Sequence, residues 1–166
     1  MKALRKLMLG QNVSQQASLF PQTYLDNFLS QDTKFFLTKY GMHAILHSDE
    51  KIHPIIEDFI DVGLDVINIP QPTSLFTLPF LGENFGGKIC FLTCVDNQTT
   101  IYSSNENIRF EAKKIVDCLG RFNGGLIAGW IDPCDTIALK VPLENIRAAC
   151  EAFKEFGLYH KMWEAV

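Results

Sequence analysis

The chain has 166 residues, 47% of them hydrophobic, and a formal net charge of -4. This length can bury one core, so we expect a single domain over residues 1–166. The acidic balance argues against nucleic acid and an anionic membrane surface as partners, and no apolar run reaches the roughly 18 residues of a membrane-spanning helix. Five cysteines without Cys-x-x-Cys spacing are typical of a reducing compartment, so we expect a cytoplasmic protein.

From residue 22 onward, helix-like and strand-like segments alternate. Apolar residues at helical spacing predict helices over residues 22–41, 52–63, 105–120 and 141–157, each ending in a glycine, with Asn105 as the N-cap of the third. The Phe-rich segment 74–85 is expected to pack as a helix on the flank of the fold. Short apolar runs lie between the helices: one ends at His47, and the others span residues 64–70, 88–96 and 124–132.

These short runs are apolar throughout, which is typical of strands that are buried on both faces. Parallel strands covered by helices have this pattern, and short links between strands and helices imply right-handed βαβ units. The sequence therefore predicts an α/β fold.

Polar side chains follow every predicted strand. Side chains two apart on a strand point to the same side, and ligands bind at the carboxyl edge of parallel α/β folds. We therefore expect a small-molecule site at this edge. The polar strand-end residues are His47 and Asp49, Asn68, Asp96 and Gln98, and Asp132 and Cys134.

Several segments, in order and at sensible spacing, resemble the uroporphyrinogen decarboxylase family, which also contains cobalamin-associated methyltransferases. They are "LFPQTYLDNF", "GMHAILHSDEKI", "VINIPQP", "TCVDNQ", "SSNENI", "GGLIAGWI" and "VPLENI". The family counterpart of "GMHAILHSDEKI" ends in His-Ser-Cys/Asp-Gly-Asn-Ile, and that of "VINIPQP" reads Ile/Leu-Asn-Pro-x-Gln-Pro. The resemblance covers about residues 10–157.

The resemblance implies a (β/α)8 TIM barrel, of which this chain would form about strands four to eight with their helices. Such barrels need about 250 residues, so another chain or a further segment would complete it, and a homodimer or a complementary chain is the expected partner. Two departures affect the site. Glu50 stands at a position where the family has glycine, and Thr93 and Cys94 stand at the two glycines that precede the family's Ile-Asp pair. Without glycine, the backbone loses conformations with positive φ or the ability to approach a ligand closely.

In the methyltransferase branch, the positions that match His47 and Asp49 are a His-x-Cys pair that binds zinc with a later Cys. The resemblance thus implies a zinc held by His47, Asp49 and Cys134, with Cys134 about one residue out of register. All three residue types are competent zinc ligands. The alternative is a histidine that donates to a backbone carbonyl beside a solvated aspartate.

The remaining substrate-binding candidates also have two interpretations. Asp96 and Gln98 match a pocket-facing acid and amide of the family, but Asp96 could equally cap the next helix. Asn68 matches the family's strand-end asparagine. Asn12, in "GQNV", resembles a strand-end residue of some family members that could orient substrate. Because it lies near the amino terminus, where the resemblance is weakest, the interpretation without a binding role is favoured.

The family offers two chemistries, carboxy-lyase and methyl transfer. A tetrapyrrole with many carboxylates needs several arginine forks in its pocket, whereas Arg109, Arg121 and Arg147 fall in or beside predicted helices. The residues therefore slightly favour methyl transfer, with a methyl donor and a thiol as substrates. A partial barrel that only binds a ligand, or a gene fragment without activity, is a further hypothesis.

Overall fold

The structure is a computed structural model that describes residues 6–9, 39–49, 51–61, 63–73, 76–122, 124–129 and 133–157, with only the backbone for 6–9 and 133–135. Within these ranges, no helix is long and apolar enough to cross a membrane. The predicted helix over residues 22–41 falls outside them except at its end.

Five strands form one parallel sheet. They are β1 (Lys6–Leu9), β2 (His43–His47), β3 (Val66–Ile69), β4 (Cys90–Thr93) and β5 (Leu126–Ala128). Their spatial order is their order in the chain, and each neighbouring pair is parallel. When consecutive strands of a parallel sheet are also neighbours in space, right-handed connections place all the connecting helices on the same face of the sheet. The α/β prediction is confirmed, and the strand order is consistent with part of an α/β barrel.

The described helices follow the strands in the chain. They are α1 (Ile56–Asp61), α2 (Leu78–Phe85), α3 (Asn105–Leu119), α4 (Pro133–Ala138) and α5 (Leu143–Phe156), with 3-10 turns at His53–Ile55 and Thr100–Tyr102. The helix α3 is capped by Ser104, whose side chain accepts from the Asn107 backbone N–H at 3.3 Å. The predicted cap, Asn105, is wrong by one position, because Asn105 already has helical geometry.

The two faces of the sheet differ in what covers them. Leu46, Ile67 and Phe91 are in register across β2, β3 and β4, are at most 1% exposed, and belong to the apolar core that the helices cover. Side chains alternate along a strand, so the next residues in each strand lie on the opposite face. We call this opposite face the open face after its β5 member, Ile127, which is 50% exposed, although its β3 members Val66 and Asn68 are buried.

Two segments differ from their sequence predictions. The strand predicted over residues 124–132 is shorter, since β5 ends at Ala128. Asp132 lies outside the described residues, and the backbone of Cys134 lies in α4, directly after the Pro133 that begins this helix. A proline at the first helical position favours a helix start. The strand β1 was not predicted, because "KLML" is short and follows basic residues.

Candidate functional site

The carboxyl ends of β2, β3 and β4 lie side by side. His47 is in register with Asn68, and Asn68 with Leu92. Because His47 follows the core residue Leu46, it lies on the open face. His47 Nε2 is 3.2 Å from Asp49 Oδ2, and the two side chains are 41% and 50% exposed. This edge, which we call the mouth, therefore presents a paired and accessible His and Asp.

A buried amide joins this pair to the loops that follow β3 and β4. Gln71 Nε2 donates to Asp49 Oδ1 at 3.1 Å and to Asn97 Oδ1 at 3.2 Å. Gln71 and Asn97 are only 3% and 4% exposed. One side chain thus connects the loops of three neighbouring strands.

Among the described residues, two buried acceptors at the mouth have no hydrogen-bond partner. They are Asn68 Oδ1 and Gln71 Oε1, on side chains that are almost fully buried. An unmet buried acceptor costs about 1–3 kcal/mol, and each such group in a native structure requires an explanation. The mouth therefore has two buried acceptors that the described part of the chain does not pair.

Asp96 organises the turn after β4. Its Oδ1 accepts from the backbone N–H groups of Gln98 and Thr99 at 3.1 Å each, and from Thr99 Oγ1 at 2.9 Å. Glu111, on α3, accepts from the Asp96 backbone N–H at 2.8 Å and from Thr100 Oγ1. These bonds set the shape of the loop that carries Asn97 to the mouth.

The structure brings together some of the residues predicted to bind substrate. His47, Asp49 and Asn68 meet at the mouth, and Asp96 lies buried in the adjoining loop. The side chain of Gln98 is exposed. Asn12 lies outside the described residues, as does the side chain of Cys134.

Sequence reasoning missed two members of the network, Gln71 and Asn97. The i, i+2 rule selected Asp96 and Gln98, but it applies only within a strand, and β4 ends at Thr93. Beyond that point, turns decide which side chain faces the mouth. The available signal for Gln71 was the "VINIPQP" segment itself, where its position matches the glutamine of the family pattern.

The mouth supplies part of the donor set that zinc requires. Among the described side chains, no group of three or more His, Cys, Asp or Glu residues could hold a metal ion. His47 Nε2 and Asp49 Oδ2 lie 3.2 Å apart, the distance of a hydrogen bond. Imidazole nitrogen and carboxylate oxygen are both ligand types that zinc takes, and Cys134 is the third residue that the sequence offers.

Two described cysteines have thiols unsuited to nucleophilic attack. Burial raises the pKa of the Cys90 thiol. Burial also raises the pKa of the Cys118 thiol, and the charges of Lys114 and Arg121 offset this only in part. Reactive cysteines have a lowered pKa, so neither thiol is activated.

A cavity of about 480 Å³ lies on the helix side of the sheet. Its lining comes from α3, β5 and α5 and is mostly apolar, with Leu126, Ala128, Phe153 and Phe156 among its residues. None of the network residues of the mouth lines it. This cavity and the mouth are therefore separate features of the described residues.

Comparison with known proteins identifies a similar fold. No protein-family model matches the chain, and no curated protein does. A methyltransferase from Methanosarcina mazei has a similar structure, with a TM-score of 0.55 and 21% sequence identity, and the match covers 84% of this chain. The chain spans only 36% of the length of that protein. At this identity the likeness concerns the fold: a parallel α/β sheet, consistent with part of an α/β barrel.

Proposed function

We propose that this chain supplies part of the mouth of a βα barrel at which a methyl group is transferred to a thiol. The observation that carries the proposal is the contact between His47 and Asp49 at the carboxyl edge of a parallel sheet. This edge is where βα barrels place their active sites. The similarity in fold to a methyltransferase supports methyl transfer as the reaction class.

The zinc implied by the family resemblance would be held by His47, Asp49 and Cys134. When bound, zinc lowers the pKa of a coordinated thiol and so supplies a thiolate nucleophile. Gln71 donates to Asp49 at 3.1 Å, and such a bond orients a carboxylate that binds metal. The exposure of His47 and Asp49 leaves the site accessible to a thiol and a methyl donor.

The described arginines support methyl transfer over porphyrinogen decarboxylation. Arg109 pairs with Glu155 at 2.7 Å, and its guanidinium lies over the ring of Phe156. Arg121 lies after α3, and Arg147 is an exposed residue of α5. None of the three lies at the carboxyl end of a strand, where a substrate with many carboxylates needs them.

The decarboxylase alternative makes a separate prediction. We expect the purified 166-residue chain to leave uroporphyrinogen unchanged, since its described arginines are on or beside helices. Chromatography of the porphyrins after incubation measures this directly. Stoichiometric loss of substrate carboxylates would instead favour the carboxy-lyase branch of the family.

Zinc analysis combined with a methyl-transfer assay tests the proposal. Zinc-loaded chain is incubated with methylcobalamin and 2-mercaptoethanol, and the cobalamin spectrum and the methyl thioether product are followed. The methyl group passes from cobalt to sulfur, which leaves cob(I)alamin. We expect one bound zinc per chain, and we expect His47→Ala and Asp49→Ala to weaken zinc binding by more than the about 10- to 100-fold that the loss of an outer-shell partner costs.

A matched control separates ligand loss from general damage. Cys150→Ala removes a thiol on α5 and is expected to keep zinc affinity and rate, whereas Cys134→Ala is expected to lose both. A folded chain that binds no zinc and transfers no methyl group contradicts the proposal. That result would favour a partial barrel that only binds a ligand.

A further inference from the structure

We propose that residues 158–166 pack as a short amphipathic helix onto the cavity between α3, β5 and α5. This packing is on the helix side of the sheet, and it is independent of the mouth and of methyl transfer. Three observations support it: the apolar lining of the cavity, the position of Gly157 in that lining, and the spacing of the apolar residues that follow Gly157.

The cavity is apolar surface that the described residues do not cover. It has a volume of about 480 Å³, and Val116, Leu126, Ala128 and Phe156 are among its lining residues. These four residues pack against the core but are only partly buried. Because protein interiors are close-packed, with few voids larger than a water molecule, we expect a further apolar group to cover this surface.

A polar small molecule would find few groups to bind here. The described lining has one charged side chain, Lys154, and one thiol, Cys150, and it contains no carboxylate, amide or hydroxyl side chain. Small-molecule sites combine an apolar lining with several polar groups that fix the orientation of the ligand. An apolar segment of protein therefore fits this cavity better.

The segment after Gly157 reads "LYHKMWEAV" and has the pattern of an amphipathic helix. At 100° per residue, its large apolar residues lie within about 140° of the helix circumference. They are Leu158, Tyr159, Met162, Trp163 and Val166. The polar residues His160, Lys161 and Glu164 fall on the other side. A strand would instead place His160 and Glu164 on the same face as Met162.

The connection at Gly157 favours this segment over other occupants. Gly157 lines the cavity and directly follows Phe156, the last residue of α5, so the segment begins at the cavity and needs no long loop to reach it. Residues 10–38 also lie outside the described ranges, but they connect β1 to β2, at the opposite end of the sheet from β5. A second copy of the chain has no such connection.

The helix would depend on the cavity for its stability. Isolated helices shorter than about 12–15 residues are marginal in water, and most helices gain their stability from the packing of an apolar face. Substitutions on the apolar face of the segment should therefore release it from the cavity, whereas substitutions on its polar face should not.

The first test uses the native thiol of Cys150 in the cavity lining. In the full chain, Met162→Cys places a thiol on the apolar face, and Lys161→Cys places one on the polar face at nearly the same distance along the chain. After oxidation with diamide, denaturing gels and peptide mapping identify the disulfides. A disulfide needs Cα atoms about 4.4–6.8 Å apart. We expect Met162→Cys to link to Cys150 within one chain at least about 10-fold faster than Lys161→Cys.

The second test needs no new thiol. In the full chain, we expect nuclear Overhauser contacts between the Trp163 indole and the methyl groups of Val116 and Leu126. Trp163→Ser is expected to shift those methyl resonances and to lower the melting temperature by at least about 2 °C. The matched control is Lys161→Ser, on the polar face, which should change neither.

Three results would overturn the proposal. The first is equal linking of positions 161 and 162 to Cys150, which means that the segment has no preferred face on the cavity. The second is the absence of contacts between Trp163 and the methyl groups of the cavity. The third is a disulfide between Cys150 of one chain and position 162 of another, which assigns the cavity to a second copy.

Discussion

At the residue scale, Asp49 accepts from two side chains that come from different strand ends. His47 lies 3.2 Å from one carboxylate oxygen, and Gln71 lies 3.1 Å from the other. With both oxygens engaged, the carboxylate has little rotational freedom, which is the condition for a residue that orients a metal or a substrate. The buried Gln71 thus makes an exposed aspartate part of an ordered site.

Glu111 is the buried acid that holds the loop after β4. It is 7% exposed and accepts from the Asp96 backbone N–H at 2.8 Å and from Thr100 Oγ1. We expect Glu111→Ala to lower the free energy of unfolding by about 1–3 kcal/mol, because it leaves a buried N–H without a partner. Chemical denaturation measures the change.

The matched control for Glu111 is Glu106→Ala. Glu106 is exposed in the first turn of the same helix, so its loss is expected to change stability by less than about 0.5 kcal/mol. Faster hydrogen exchange at Gln98 and Thr99 in Glu111→Ala would locate the effect in the loop. Unchanged exchange and unchanged stability would contradict the role assigned to Glu111.

The Cys90 thiol is the subject of a pH prediction. Burial raises its pKa, because removal from water disfavours the charged thiolate. Its folded-state alkylation by iodoacetamide should therefore become fast only at a pH above the usual value of about 8.5 for a free cysteine. Peptide mapping of alkylated chain across a pH series measures this, with urea-unfolded chain as the reference. Equal rates in both states near neutral pH would refute it.

At the scale of elements, α2 and α3 approach closely at a glycine. A Cβ on Gly82 would lie 2.2 Å from the carbonyl oxygen of Cys118, which is backbone and cannot move aside easily. An alanine in a helix is normally more favourable than glycine by about 1 kcal/mol. At position 82, the clash with the Cys118 carbonyl oxygen costs more than the helix preference of alanine would contribute.

We accordingly expect Gly82→Ala to destabilise the chain by about 1–3 kcal/mol, the usual range for an overpacked core. Thermal and chemical unfolding measure the change. The control is Glu83→Ala, since Glu83 is the adjacent and exposed residue of α2. A gain in stability for Gly82→Ala would mean that the two helices can separate at low cost.

At the scale of the whole molecule, the sheet has unpaired strand edges and an exposed apolar residue. In the described part of the chain, β1 and β5 are the end strands and each pairs on one side only. Ile127, on the open face, is 50% exposed. Another chain can bind at unpaired strand edges and at exposed apolar surface.

We therefore expect the 166-residue chain to form a homodimer, or to join a complementary chain, through the open face and strand edges. Ile127→Asp is expected to weaken this association, and sedimentation velocity at micromolar concentration measures it. Ile137→Asp is the control, because Ile137 is an exposed residue of α4 and does not belong to the sheet. A stable monomer that binds no hydrophobic dye would contradict this expectation.

The local pattern of the chain was enough to predict most of the described elements. Continuous apolar runs identified the strands β2, β3 and β4. Burial on both faces was predicted for all three, but only β3 is buried at every position, whereas β2 and β4 alternate between buried and more exposed residues. Gly120 and Gly157 marked the ends of α3 and α5. The sequential order of the strands was implied only by the family resemblance, and the carboxyl edge as the place of the polar residues followed from where ligands bind in parallel α/β folds.

The tertiary structure alone decided which polar side chains meet. Gln71 and Asn97 join the mouth because turns after β3 and β4 direct them, and a turn has no side-chain period that the sequence could display. The partners of Asp96 likewise come from α3, from its preceding loop and from Thr73 after β3, up to 23 residues away in the chain. Periodicity along the chain determined the elements of this protein, whereas hydrogen bonds between distant loops determined its site.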